Sequence, residues 1–241
     1  MSIEVLKDAK LYMAGRDFTG VMNALALDYS AETKAARVFG DAAVRRISGL
    51  TDISLSHAGF FDADTVDKDL HANIGVDNVP MTAAPNDGAE GKTAFIFRAA
   101  HSEYSPGGEM GELFRYAVTA LGSSGESLVK GTILHNGVQT VSGNGTAFQV
   151  GAVGAAQKLY AALHVLTVAG STPTLDVTVE SDDLEGFGTT MTQITFGQKT
   201  AVGAEWATPV AGVIADDWWR IAFTIGGGLP SFAFIVTIGI L

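Results

Sequence analysis

The chain contains no cysteine, which excludes disulfide scaffolds, cysteine-ligated zinc and thiol catalysis. Proline is scarce, at 6 of 241 residues, and no collagen-like period accompanies the glycines. Cations are in deficit, with 15 Lys and Arg against 26 Asp and Glu and a formal net charge of −11. The deficit is spread along the chain. An acidic surface repels phosphate and disfavours tight nucleic-acid binding, yet it lets DNA slide past without sticking. Long hydrophobic runs are lacking as well. The longest, Leu229–Leu241, is interrupted by Pro230, Ser231 and Thr237 and falls short of the about 20 apolar residues a spanning helix needs. The opening MSIEVLKDAK has no apolar h-region, so neither a signal peptide nor membrane insertion is expected.

What is present is apolar and glycine-rich. Hydrophobic residues make up 47% and charged residues 17%, enough to bury a core and too apolar for a disordered tail. The 29 glycines point to many turns and close backbone approaches. The last ninety residues read as strands. Lys158–Gly170 is a continuous apolar run ending at Gly-Ser-Thr-Pro, a turn signal. Leu175–Glu180 and Thr192–Phe196 alternate with period two. Ser181–Gly188 reads as a polar loop. Pro209–Ile214, Trp218–Ile225 and Ser231–Leu241 complete the series, with three glycines and Pro230 as a second turn signal. About five short strands split by Gly and Pro argue a sandwich or barrel.

The first 150 residues are more mixed. Lys10–Leu27, Ile47–Phe61, Thr93–Ala99, Glu112–Leu121, Ser127–Leu134 and Phe148–Val153 are strand-like. Asp62–Ile74 predicts one short helix, with Asp62 or Asp64 as cap, acids in its first turns and Gly75 as its stop. Val79–Gly91 reads as loop. Five glycines in Gly137–Gly154 set the expected boundary between residues 1–150 and an all-β half, residues 151–241. Lys10–Ala14 is similar in kind to Lys158–Ala162, and Leu50–Ser56 to Leu175–Ser181, a pattern that two tandem β halves or chance alike would give.

Signs of catalysis are few. Gly88-Ala-Glu-Gly91-Lys92-Thr93 imitates a P-loop, but Asn86 stands where the first Gly belongs and a strand follows. No Gly-x-Ser-x-Gly elbow is present. His57, His71, His101, His135 and His164 are scattered singly and read as surface or strand-edge residues. Asp62, Asp64, Asp67 and Asp69 suit a helix start. Glu180, Asp182, Asp183 and Glu185 fall in a loop that reads as solvated, with Ca²⁺ as the sharper alternative. No cofactor, metal or enzymatic activity is expected. Asp216-Asp217-Trp218-Trp219-Arg220 is the most distinctive segment. On a strand its two tryptophans face opposite ways, so one belongs to the core. Trp218, Trp219 and Arg220 are thus candidates for a subunit interface, where Trp and Arg concentrate.

Leu11–Gly20, Gly49–Phe61, Phe95–Arg98, Lys158–Val165 and Asp217–Gly226 together resemble major tail tube proteins of long-tailed, siphovirus-type bacteriophages. The resemblance implies a β-sandwich flanked by one helix. Sheets of neighbouring subunits would join edge to edge into an inner barrel, which removes exposed edges. It also implies homo-oligomeric rings, six subunits in most of the family or three if the halves are duplicated. The rings stack into a hollow virion tube alongside other tail proteins, after assembly in the host cytoplasm, and conduct DNA during ejection. The loop Gly75–Gly91 and the arm Met1–Lys10 become candidates for ring-to-ring contacts. The alternative is a virion decoration or carbohydrate-binding β-sandwich using Trp218 or Trp219 as a platform.

Overall fold

The computed structural model describes residues 8–39 and 42–241, without the side chains of residues 64 and 65. The fold is mainly β. Its first strands are β1 (Lys10–Met13), β2 (Arg16–Asp17), β3 (Met22–Ala36) and β4 (Arg45–Phe60). A π-helical turn, Ala63–Asp67, leads into the short helix α1 (Lys68–Asn73). Then follow β5 (Val79–Ala84), β6 (Thr93–Gly107), β7 (Arg115–Gly122), β8 (Val129–Gln139), β9 (Gly143–Asn144) and β10 (Phe148–Gln149). The last strands are β11 (Lys158–Asp182), β12 (Met191–Thr195), β13 (Gly203–Trp206), β14 (Val210–Ala211) and β15 (Trp218–Ile240). Every described pairing between these strands is antiparallel.

The chain forms two compact units. One contains the stretch ending at Gly20, Val79–Arg98 and Val129–Leu241, and the other contains Val21–Asn78 and Ala99–Leu128. The boundary expected within Gly137–Gly154 therefore falls inside the first unit. Gly143 lies in β9, which pairs with β15, Gly137 lies in β8, and β8 and β15 are partners from Gln139↔Phe232 to Gly131↔Gly239.

The first unit is organised by β11 and β15, which pair from Leu159↔Ile240 to Asp182↔Trp218. Both strands run through the segments whose Gly and Pro signal turns, so Gly170–Pro173 and Gly226–Pro230 do not reverse the chain. They form one shared corner instead, where the register shifts at Ala169/Ser171 and Ser171/Thr174. Gly170 (φ 115°) and Gly227 (φ 112°) face each other's strands there. A Cβ would lie 2.8 Å from the Leu229 carbonyl oxygen at Gly170 and 2.8 Å from that of Thr172 at Gly227. Only glycine suits both the dihedral and the approach. Bulges of this kind are how a strand passes from one layer of a sandwich to the other.

The corner folds the ribbon onto itself. Leu159, Ala161, Leu163 and Val165 of β11, with Phe232, Phe234, Val236 and Ile238 of β15, come from one side of it. Leu175, Val177, Val179, Trp219, Ile221 and Phe223 come from the other, and all are buried in a single core cluster. Each large side chain so buried contributes roughly 1.5–3 kcal/mol. The alternate residues Tyr160 and Ala162 meet Ile96 and Val129 on the opposite face. That second burial explains why Lys158–Gly170 reads as continuous apolar sequence rather than alternation. Val79–Gly91, expected as loop, contributes β5, which is buried and pairs with β1 from Lys10↔Ala84 to Met13↔Met81. Its alternation is hidden because all but Pro80 are buried.

In the second unit, β3 pairs with β4 from Ala36↔Arg45 to Met22↔Gly59. The Phe60 end of β4 pairs with β7, from Ser54↔Leu121 to Phe60↔Arg115, and β7 pairs with the Ala99–Gly107 part of β6. Ile53, Leu55 and His57 of β4 and Tyr116, Val118 and Ala120 of β7 are buried at every second position, as strand geometry requires. The helix adds buried Leu70. It is held by a hydrogen bond from Tyr104 Oη to Asp67 Oδ1 (2.7 Å) and by the bond from the Gly75 N–H to the His101 carbonyl (3.1 Å). The α-helical part opens at Asp67, which makes no side-chain cap bond.

Candidate assembly surfaces

Trp218, Trp219 and Arg220 open β15, and alternation sorts them. Trp219 is wholly buried and donates Nε1–H to the Gly151 carbonyl at 2.8 Å. It belongs to the core of this chain. Trp218 is half-buried and lies opposite Asp182 and Gln149. Arg220 donates Nε–H to Glu180 Oε2 at 2.9 Å, across the β11–β15 pair. Its guanidinium carbon also sits 4.2 Å from the Phe187 ring centroid, a cation–π geometry.

These contacts also account for the acidic loop. Glu180 is bound to Arg220. The Asp182 carboxylate accepts the N–H groups of Leu184 (2.9 Å) and Thr189 (2.7 Å). Burial pushes its carboxyl upward, but these bonds together hold it below the usual carboxylate range. Among the described residues no group of three His, Cys, Asp or Glu is placed to hold a metal ion. No described helix is long and apolar enough to cross a membrane.

The histidines correct the expectation of surface or strand-edge positions, since His57, His101, His135 and His164 are all buried. His57 and His164 stand at inward positions of β4 and β11. Burial pushes each ring down to about 3. His164 Nε2 lies 3.0 Å from Thr82 Oγ1. His135 Nδ1 lies 2.8 Å from Glu90 Oε1, while its ring packs against Phe234 at 4.4 Å. These are packed core groups, each in different company. Glu90, within the segment that imitates a P-loop, also accepts the Asn136 N–H at 3.1 Å, and strand β6 follows it.

A groove of about 370 Å³ is lined by Ser142, Asn144, Asp176, Thr178, Phe223 and Thr224. It is open, and its one ring, Phe223, is buried. Of the expected ring-to-ring segments, the arm Met1–Lys10 lies mostly outside the described residues, with Lys10 already in β1. Within Gly75–Gly91, Val76 is exposed whereas Val79 and Met81 are core residues.

The most exposed β surface was not singled out by motif. It lies in the second unit, on the hairpin of β3 and β4. Residues 28–35 of β3 and the first eight residues of β4 are exposed on both faces. Tyr29, Val38, Phe39, Val44, Ile47 and Leu50 stand in solvent there, beside exposed Arg37, Arg45 and Arg46. At the turn joining β6 and β7, Met110, Leu113 and Phe114 are likewise exposed, interspersed with exposed Glu109 and Glu112. A cluster of arginines in a chain so short of cations is the signal that marks the first of these tips.

No protein-family model and no curated protein matches the chain. Solved structures similar to it include chains from virion, tail, sheath–tube and baseplate assemblies and one phage hub protein. A chain of the virion of a native gene transfer agent particle is 14% identical, at a TM-score of 0.43, covering 52% of this chain and 97% of that one. SPP1 Dit, a hub adsorption apparatus protein of phages infecting Gram-positive hosts, is 12% identical at 0.37, covering 98% of this chain and 100% of that one. A chain of the sheath–tube complex of an extracellular contractile injection system is 13% identical at 0.42, covering 54% and 92%.

Proposed function

We propose that the protein is a virion structural protein of the tail-tube type, without enzymatic activity. It self-assembles into rings, six subunits to a ring, that stack into a hollow tube conducting DNA during genome ejection. Assembly takes place in the host cytoplasm, and the tube joins other tail proteins in the virion. The observation that carries this reading is the β3–β4 hairpin, whose outer half is exposed on both faces. A two-stranded ribbon in water is marginal by itself, so such a hairpin calls for a covering partner. The net charge of −11 agrees with a wall past which DNA slides. Half-buried Trp218 is the member of its segment available for a subunit contact. For the carbohydrate-binding alternative, burial of Trp219 leaves half-buried Trp218 as the platform candidate of this segment.

Negative-stain electron microscopy across a concentration series tests the proposal. Stacked rings or hollow tubes of uniform diameter, six-fold in end view, are expected. Closed oligomers of fixed small size at every concentration would overturn the tube in favour of a decoration module.

A further inference from the structure

The two exposed tips of the second unit carry opposite charge, and the strand register places them at opposite ends. The β3–β4 turn lies beyond the pair Ala36↔Arg45. The β6–β7 turn lies beyond Gly107↔Arg115, next to Phe60↔Arg115 at the far end of β4. Arg45 and Phe60 are the two ends of this strand, separated along it by about 50 Å at roughly 3.4 Å per residue. At the first end, exposed Arg37, Arg45 and Arg46 surround Val38, Phe39, Val44 and Ile47. Lys34 there is ion-paired with Glu32. At the second end, exposed Glu109 and Glu112 alternate with exposed Met110, Leu113 and Phe114. Asp62 follows closely, since Phe61 donates its N–H to the Phe114 carbonyl at 3.0 Å. One cation lies nearby, Arg115, held over the Phe60 ring at 5.7 Å.

We infer that these ends bind each other between copies, the basic apolar tip of the β3–β4 hairpin docking on the acidic apolar β6–β7 tip of a second copy. The occupant follows from the charges: each tip pairs an apolar patch with a rim whose counterpart the same chain carries at its other end. A contact joining two different patches is heterologous and propagates from copy to copy. Apolar residues at its centre and charges at its rim match the anatomy of specific interfaces. The inference rests on the self-assembly reading and adds to it the two patches and their polarity.

Charge exchange tests it, with sedimentation velocity and electron microscopy as readouts and thermal melting as a check on folding. The triple variant R37E/R45E/R46E and the double variant E109K/E112K are each expected to raise the assembly concentration by at least about tenfold, since like charges then face each other. Mixing the two, or combining all five changes in one chain, is expected to restore assembly. High salt should weaken the wild-type polymer by screening. Polymers indifferent to salt and to both variants would overturn this pairing and leave the tube reading standing. Variants that fail without rescue on mixing would overturn it as well. A wild type that stays monomeric at millimolar concentration and low salt would overturn pairing and self-assembly together. Polymers dispersed by a short DNA duplex into DNA-bound monomers would assign the basic tip to phosphate instead.

Discussion

The chain contains two long antiparallel ribbons that meet opposite fates. The pair β11–β15 has strands of 25 and 23 residues, breaks its register at a glycine corner and folds over to bury itself. The pair β3–β4 has strands of 15 and 16 residues, and its outer half stands in water. The difference lies in the side chains and not in the pairing. The first ribbon sets apolar residues, mostly Leu, Val, Ile and Phe with Trp219, at its inward positions on both sides of its corner. The second alternates Ala, Ser, Thr, Glu, Lys and Arg with a few isolated large apolar groups. A ribbon that can bury its own inner face builds a core, and one that cannot presents its surface to a partner.

The largest expected effect is in the first ribbon. Trp219→Ala removes a wholly buried ring and orphans the Gly151 carbonyl that its Nε1–H serves. A loss of about 3–5 kcal/mol is expected, read as a lower denaturation midpoint in urea. A loss below about 1 kcal/mol would mean that the corner-folded core is far looser than its packing implies.

The sequence made the first ribbon legible and its corner illegible. Continuous apolar residues in Lys158–Gly170 and alternation in Leu175–Glu180 identify both arms. Gly170 to Pro173, however, satisfies a turn and a bulged corner equally well, and only long-range pairing with Gly226–Pro230 decides between them. That one of Trp218 and Trp219 belongs to the core is readable from the two-residue period alone, but which of them it is depends on the register of β15 with its neighbours. The same period held the histidines: His57 continues Ile53 and Leu55, and His164 continues Tyr160 and Ala162. Reading them as isolated polar residues hid that they occupy inward positions. At the hairpin tips the arginines were visible, but their separation from Glu109 and Glu112 depends on the register of β4 with both β3 and β7, which local sequence does not set.

Each unit carries two buried histidines, and acid should weaken both units, most readably through His57 and His164. The rings of His57 and His164 are lowered from 6.5 to about 3, chiefly by burial, with His101 adding to the shift at His57. Because the folded value lies below the unfolded one, the unfolded chain takes up the proton first. Stability is unaffected above about pH 6.5 and falls as pH drops from there towards 3. The slope is about 1.4 kcal/mol per pH unit for each ring, or about 2 kcal/mol from each at pH 5. Urea denaturation at pH 7, 6 and 5 should show the fall, and His164→Gln should remove its share of the slope. An unchanged slope in that variant would mean that the ring gains solvent without unfolding.

The smallest effect on stability is expected on the second ribbon. Leu50 is 86% exposed, in the irregular stretch where the β3–β4 register shifts between Ala31 and Thr33. Leu50→Ser removes no buried contact, so the denaturation midpoint of the isolated chain should stay within about 0.5 kcal/mol of wild type. Assembly should nonetheless need a higher protein concentration, because covering Leu50 in a partner contact would recover apolar surface now left in water. If stability falls by as much as it does for a core residue, the hairpin is already packed within the chain. If stability and assembly are both unchanged, its exposed face is not where copies meet, and the contrast between the two ribbons reduces to one between a core and a solvated extension.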